Sequence, residues 1–490
     1  MDQSQNLKVA FITPEMAPLA KTGGLADVTG ALPKYLSRLS QLEVTVWLPL
    51  YREVKKKNLN LKQLAGNVKL ELLPAGVQNS FSIFEYQVEN FKVYLIENDF
   101  YFDRDYLYGT PGGDYPDNGH RFAFFCLAVL TGWKLINWKP DIIHAHDWQA
   151  ALTLAYLKHV LPNDSFYQKT RSLFTIHNLA YQGLFPPEIL RQVALPFYLF
   201  NPEDMEFYGQ VNYLKAGLLY SDAISTVSPT YSQEIQTPEF GFGLDGVLRK
   251  RSDRLFGLLN GIDYQEWNPE TDPALPAHYS RQAPAGKFLC RQELLRYFGF
   301  DPQSKKPIIG LVSRLAGQKG FDLLVKSLDE ILKRDLYLII LGTGEKQIQD
   351  MLLEAAKKYP DKFGLKIAFD DRLARLIYAG SDFFLIPSRY EPCGLTQMYS
   401  LRYGTIPIAR STGGLKDSIQ EFDPERLEGN GFLFQEYETK SLLAALDRAL
   451  SLYQRQPFWS KLKDNAFRSD FSWEKAASNY HELYLKILEF

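Results

Sequence analysis

The residues best suited to chemistry fall in short clusters. The stretch KTGGLADV runs over residues 21–28, and STGGLKDS over 411–418, so T-G-G-L-x-D occurs twice, at Thr22 and Thr412. Two glycines permit close backbone approach. A helix starting there offers unpaired N–H groups and a positive dipole end. That combination suits a phosphate, or it is simply a tight strand-to-helix turn. Lys21 is a cation where a diphosphate would lie, or a solvated loop charge; Ser411 takes its place in the second copy. Neither copy is GxGxxG or GxxxxGK[ST], which weakens the usual dinucleotide and P-loop readings.

His144-Ala145-His146-Asp147 ends one apolar run, and His177-Asn178 ends the next. Ligands gather at the carboxyl ends of parallel strands, so these residues are expected on one rim. A metal on HxHD is conceivable, but no cysteine or acidic cluster completes a shell. Hydrogen bonding to sugar hydroxyls is favoured for Asp147, His177 and Asn178. Arg314 and Lys319, in SRLAGQKG, could grip a diphosphate from a strand end and a helix start. In PSRYEPCGLTQ, Glu391 follows a strand and Gly394-Leu395-Thr396 opens a helix. A carboxylate, a tight turn and a helix N-terminus suit a negatively charged leaving group. Asp103-Arg104-Asp105 spells D-x-D, a pattern that can hold a divalent metal and also arises easily by chance.

Positioning these groups requires strands that end where they begin. Apolar, β-branched runs at 8–13, 44–49, 92–97, 141–145, 172–176 and 223–228 read as buried strands, with helices such as 26–36 and 119–135 between them. A second series has strands at 307–314, 336–342, 365–369, 383–388 and 405–410, and helices near 321–332, 345–358, 373–379, 396–403 and 439–453. Such alternation predicts α/β architecture, a parallel sheet covered by helices, twice over. The boundary is expected near 240–255, residues 268–287 read as an irregular excursion, and 473–490 as a final helix.

With 490 residues, more than one domain is expected. A net charge of −2 gives no general hold on nucleic acid or anionic lipid. The three cysteines, Cys126, Cys290 and Cys393, are scattered, which fits a reducing compartment. MDQSQNLKVAFIT has no basic n-region, and no run of about 18 apolar residues occurs. A cytoplasmic protein is expected, unless a leader has been removed.

Taken together, KTGGLADV after PEMAP, HAHDW, TIHNLAYQG, VSRLAGQKG, ILGTGE, SRYEPCGLTQ and STGGLKD resemble the bacterial glycogen synthase and plant starch synthase family, in the family's order and over nearly the whole chain. The resemblance implies the GT-B fold: Rossmann-like lobes at 1–245 and 255–470 facing across a cleft, with a helix at 471–490 crossing back to the first. It implies transfer of glucose from ADP-glucose to the nonreducing 4-hydroxyl of an α-1,4-glucan, with retention, loss of ADP and no metal or other cofactor. Residue by residue, it implies Lys21 and Gly24 around the donor, Asp147 and His177 facing the glucosyl unit with Asn178 beside them, and Arg314 and Lys319 on the diphosphate. Glu391 would contact glucose and be required for transfer. Cys393, Gly394 and Leu395 would hold sugar hydroxyls, Thr396 the diphosphate, and Phe369 the adenine. Tyr108, in YGTPGGDYPDN, lies where the family contacts donor or acceptor.

The chain departs from many retaining GT-B enzymes at Tyr399, where they carry a second glutamate. Retention admits a covalent intermediate, for which two carboxylates about 5 Å apart are the usual sign, or front-face attack, which is favoured here. Because the groups come from both lobes, activity is expected to need closure. Competing readings are a metal-dependent glycosyltransferase using D-x-D, a non-catalytic glucan-binding relative, and a phosphorylase-like enzyme. Glycogen and starch synthase, and ADP- and UDP-glucose, remain alternatives at this point.

Overall fold

The continuous apolar runs become strands buried on both faces, as parallel sheets require. A computed structural model describes residues 6–73, 78–110 and 112–490. The first five residues, read above for a targeting signal, and Pro111 of YGTPGGDYPDN lie outside them. The chain divides into two units: residues 1–227, 232–260 and 473–490, and residues 228–231 and 261–472.

The first unit is built on a nine-stranded sheet. Its central strand, Leu7–Ile12, pairs in parallel with Leu42–Pro49 on one side and Ile142–His146 on the other. The chain first builds outward through Phe91–Glu97, then returns and builds the opposite way through Arg171–Ile176, Ala223–Thr226 and Leu255–Gly257. The order therefore reverses between Leu7–Ile12 and Ile142–His146, and this switch point leaves a crevice at the carboxyl ends. Lys62–Lys69 and Ser80–Val88 extend one edge in antiparallel fashion. A search for continuous apolar runs misses these two, because one face of an edge hairpin stays wet and its pattern alternates.

The final helix, Trp473–Leu488, belongs to the first unit, as the family resemblance implied. It buries Tyr480, Tyr484 and Ile487, and the Tyr484 hydroxyl meets His144 Nδ1 at 2.8 Å.

The second unit has a six-stranded parallel sheet ordered Phe363–Ile367, Tyr337–Gly342, Ile308–Val312, Phe383–Ile386, Ile406–Arg410, Phe432–Phe434. Here too the order reverses beside the sheet's first strand in the chain, between Ile308–Val312 and Phe383–Ile386. Helix Phe321–Leu332 turns Phe321, Leu324, Leu328 and Ile331 into the core against Ile309, Leu311, Leu338 and Ile340. That spacing is the apolar stripe of an amphipathic helix. The stretch read as irregular stays without regular structure up to Pro284, where helix Ala285–Tyr297 begins.

Candidate active site: polar clusters at the two switch points

In the first unit, the loop after Leu7–Ile12 is organised by a residue to which the sequence reading gave no role. Glu15 is 4% exposed. Its carboxylate accepts the N–H of Thr22 at 2.6 Å, the Thr22 hydroxyl at 2.6 Å, the Gly23 N–H at 3.2 Å and the Tyr108 hydroxyl at 2.7 Å. The N–H groups that could have cradled a phosphate in the first TGGL thus hold an internal carboxylate. Tyr108, read as a substrate contact, points its hydroxyl at Glu15, and burial with that neighbour raises its pKa well above the ordinary value. Gly24 is exposed at the first position of helix Gly24–Leu36. Lys21 lies beside it, its ammonium on Asp27 at 2.5 Å, with Asp27 pushed up by burial against the pull of Lys21.

Asp147 follows directly on Ile142–His146 and opens helix Asp147–His159 with a φ of +55°. A left-handed conformation in a non-glycine residue costs roughly 1 kcal/mol or more, and here it aims the carboxylate at the neighbouring strand end. Asp147 Oδ1 accepts the His177 N–H at 2.8 Å. Burial pushes Asp147 up to about 7, against the His177 and Asn178 N–H groups that favour its charged form. The Asn178 side-chain oxygen accepts the Ala180 N–H at 3.1 Å and so shapes its own loop. His177 Nε2 lies 2.9 Å from His146 Nδ1. His144 points away, its nitrogens on Tyr484 and Thr175, and is structural.

In the second unit, a cavity of about 190 Å³ is lined by Arg314, Lys319, Ser388, Glu391 and Thr396 together with the strand ends. Lys319 Nζ donates to both oxygens of Glu391, at 2.9 and 2.6 Å, and the Ser388 hydroxyl adds a third donor at 3.0 Å. Glu391 is 7% exposed. Arg314 is exposed and has no ion-pair partner among the described residues. Gly320, at φ +78°, lets the GQKG turn close on Pro387, whose carbonyl oxygen would lie 1.9 Å from an added Cβ. The backbone of 393–395 turns through Gly394, at φ +71°, and Gln397 ties the carbonyls of Cys393 and Gly394 at 3.0 and 2.9 Å. Thr396 then starts helix Thr396–Arg402. Phe369 is 89% exposed after strand Phe363–Ile367, free to stack on a flat ligand.

The two TGGLxD turns differ in what their glycines touch. A Cβ on Gly23 would meet nothing within 4 Å, whereas on Gly413 or Gly414 it would lie 2.0 Å from the carbonyl oxygen of Glu391 or Cys393. The final aspartates differ as well: Asp27 holds Lys21, while Asp417 accepts the N–H and hydroxyl of Thr230 at 2.8 and 2.6 Å. Tyr399, in place of the second glutamate, stacks on Trp267 with ring centroids 3.7 Å apart and 17° between planes. Asp103 and Asp105 of D-x-D both bind Arg52, at 2.6 and 2.7 Å. No group of three or more metal-ligating side chains occurs among the described residues.

Comparisons with known proteins agree with this geometry. Residues 8–250 match the family described as starch synthase catalytic domain, and 298–467 match glycosyl transferases group 1. The chain is 46% identical to a glycogen synthase of Koribacter versatilis, over 98% of both chains. It is 43% identical to that of Thermotoga maritima, over 98% of this chain and 99% of the other. Among solved structures, the catalytic domain of starch synthase IV from Arabidopsis thaliana, bound to ADP and acarbose, superposes with a TM-score of 0.89 at 34% identity, covering 99% of this chain and 100% of that one. A sucrose-phosphate synthase from Thermosynechococcus elongatus, at 16% identity and a TM-score of 0.60, shares the fold. Full-length identity of this order makes the chain a member of the glycogen synthase and starch synthase family, a glucosyltransferase of GT-B fold.

Proposed function

We propose that the chain transfers glucose from ADP-glucose to the nonreducing 4-hydroxyl of an α-1,4-glucan, retaining the α configuration and releasing ADP. The observation that carries this reading is the Lys319–Glu391 pair in the second unit's cavity, beside the unpaired guanidinium of Arg314. Arg314 and Lys319 would bind the diphosphate and offset the charge that builds as it leaves. Thr396, at a helix start, would add a donor, and Phe369 would stack on adenine. Glu391 and the backbone of Cys393, Gly394 and Leu395 would hold the sugar. Lys21, Gly24, Asp147, His177 and Asn178 would complete the donor and acceptor contacts, with Tyr108 acting through Glu15. The ADP and acarbose bound by the starch synthase IV structure support this choice of substrates.

Front-face attack fits the carboxylates best. Both Glu391 oxygens already accept hydrogen bonds. Asp147 Oδ1 accepts the His177 N–H. Both carboxylates are engaged as hydrogen-bond acceptors, and neither is read here as attacking C1. The acceptor 4-hydroxyl would attack C1 from the side the diphosphate leaves, its proton passing to the departing phosphate oxygen as the C1–O bond breaks. Capture of a glycosyl adduct on Glu391 or Asp147 would overturn this.

No metal is required in this reading, since two cations face the diphosphate and the D-x-D carboxylates are held by Arg52. A cytoplasmic setting is supported by the three buried cysteines, none of which forms a disulfide among the described residues. Among the described residues, no helix is long and apolar enough to cross a membrane. The decisive experiment is elongation of a malto-oligosaccharide with ADP-glucose and UDP-glucose, wild type beside Glu391→Ala. ADP-glucose should be used and the variant should be nearly inert; failure of both donors with the wild type sinks the proposal.

A further inference from the structure

His146 and His177 come from neighbouring strand ends, with His146 in register with Thr175. Their nearest nitrogens, His146 Nδ1 and His177 Nε2, are 2.9 Å apart. Both rings are neutral: burial holds His146 well below the ordinary histidine range and His177 at about 3. Two neutral imidazoles sharing an N···N hydrogen bond must divide one donor and one acceptor between them. The far nitrogen of His146 decides the direction. Its Nε2 is buried and has no hydrogen-bond partner among the described residues. If Nδ1 accepted, His146 would bury an orphaned N–H; if Nδ1 donates, it buries only a bare ring lone pair. Orphaned buried donors are the rarer of the two for the backbone, and the same desolvation logic holds for a ring.

The His146 ring is clamped. Phe11 stacks on it at 5.3 Å and 19°, and His144 lies 4.1 Å away. His144 is itself pinned through both nitrogens, to Tyr484 of the final helix and to Thr175.

We propose that His146 is a positioning residue for transfer: its Nδ1–H donates to His177 Nε2 and so fixes His177 in the Nδ1–H tautomer, able to donate from that nitrogen to a sugar hydroxyl. This rests on the reading of His177 as a sugar-facing group.

The test is ¹⁵N NMR of histidine-labelled protein, with His177 assigned by its loss in His177→Gln. Wild type is compared with His146→Asn, which places an amide donor near the Nδ1 position, and His146→Phe, which has none. The expected wild-type signature is protonation at Nδ1 of His177, kept in His146→Asn and lost to a tautomer mixture in His146→Phe. His146→Phe should lower kcat by about 10–100-fold, the scale at which partners that orient a reacting group act. The donor KM should change little, and His146→Asn should recover most of the rate. Protonation of wild-type His177 at Nε2 would overturn the proposal, as would a His146→Phe protein with unchanged tautomer or kcat. The NMR measurement needs no substrate, so a wild type that elongates no glucan counts against the function while the tautomer is decided on its own signal.

Discussion

Gly413 lies directly against the backbone of Glu391: a Cβ on Gly413 would come 2.0 Å from the Glu391 carbonyl oxygen, and its φ is +45°. The next residue, Gly414, donates its N–H to the same oxygen at 3.1 Å. The second TGGL turn is therefore the seat of the Glu391 loop, whereas the first encloses Glu15. Gly413→Ala should displace that loop and destabilise the second unit by about 1–3 kcal/mol. Gly23→Ala, with open space and an extended φ of −156°, should stay within about 0.5 kcal/mol of wild type. Urea unfolding of both variants compares them directly.

The lysine that precedes TGGL in the first copy alone gives a second contrast. Lys21→Ala should cut glucan elongation by about 10²-fold or more, the scale of a lost charge-stabilising donor. Ser411→Ala should do little, because the Ser411 N–H bonds to the Phe434 carbonyl through backbone alone. Equal losses in kcat/KM would reject the functional asymmetry of the two turns.

Lys319 and Glu391 form a unit, so their removal should not add. Lys319→Ala leaves the buried Glu391 carboxylate with Ser388 as its side-chain partner among the described residues, and Glu391→Ala frees Lys319 from its carboxylate. Each single variant is expected to lose about as much kcat as the double, so that the coupling is as large as the loss in either single variant. Strict additivity in the four-enzyme cycle would argue against a functional pair.

Burial sets the sign of a pH effect at Asp147. Burial holds its folded pKa at about 7, above the ordinary 3.8 of an aspartate. Between those limits the native state holds a proton that the unfolded state has released, so ionisation there costs stability as pH rises. Asp147→Asn should therefore gain on the wild type as pH climbs from about 4 to 7, by a few kcal/mol at most, with no further change above. His144, His146 and His177 act oppositely, since their depressed pKa values withdraw stability as pH falls below the usual histidine range. The difference between wild type and Asp147→Asn in chemical unfolding isolates the aspartate. A stability of Asp147→Asn that falls relative to wild type as pH rises would contradict this assignment.

The D-x-D pattern should prove structural. Full activity in EDTA is expected. Asp105→Ala, which removes an exposed partner of Arg52, should cost no more than about 1 kcal/mol of stability and leave the transfer rate nearly unchanged. Loss of activity in EDTA with recovery on adding a divalent cation would restore the metal-dependent reading.

The sequence by itself determined the two β/α series, the strand ends that carry His177, Arg314 and Glu391, and the family, because apolar runs and turn residues are local properties of the chain. It also showed that Tyr399 is no second glutamate. Tertiary structure decided what each group does with its charge. Glu15, quoted only as part of PEMAP, became the organiser of the first loop because four donors converge on it, three from the nearby Thr22 and Gly23 and one from the distant Tyr108. The repeated TGGLxD reads alike in both copies, yet one presents open glycines and the other packs its glycines on the Glu391 backbone. The D-x-D motif carries a metal-like spelling, but Arg52, some fifty residues away in the chain, had already neutralised it. Local pattern fixes which elements form and where they end; hydrogen bonds and burial between segments far apart in the chain fix which polar groups are spent on the fold and which are left for substrate.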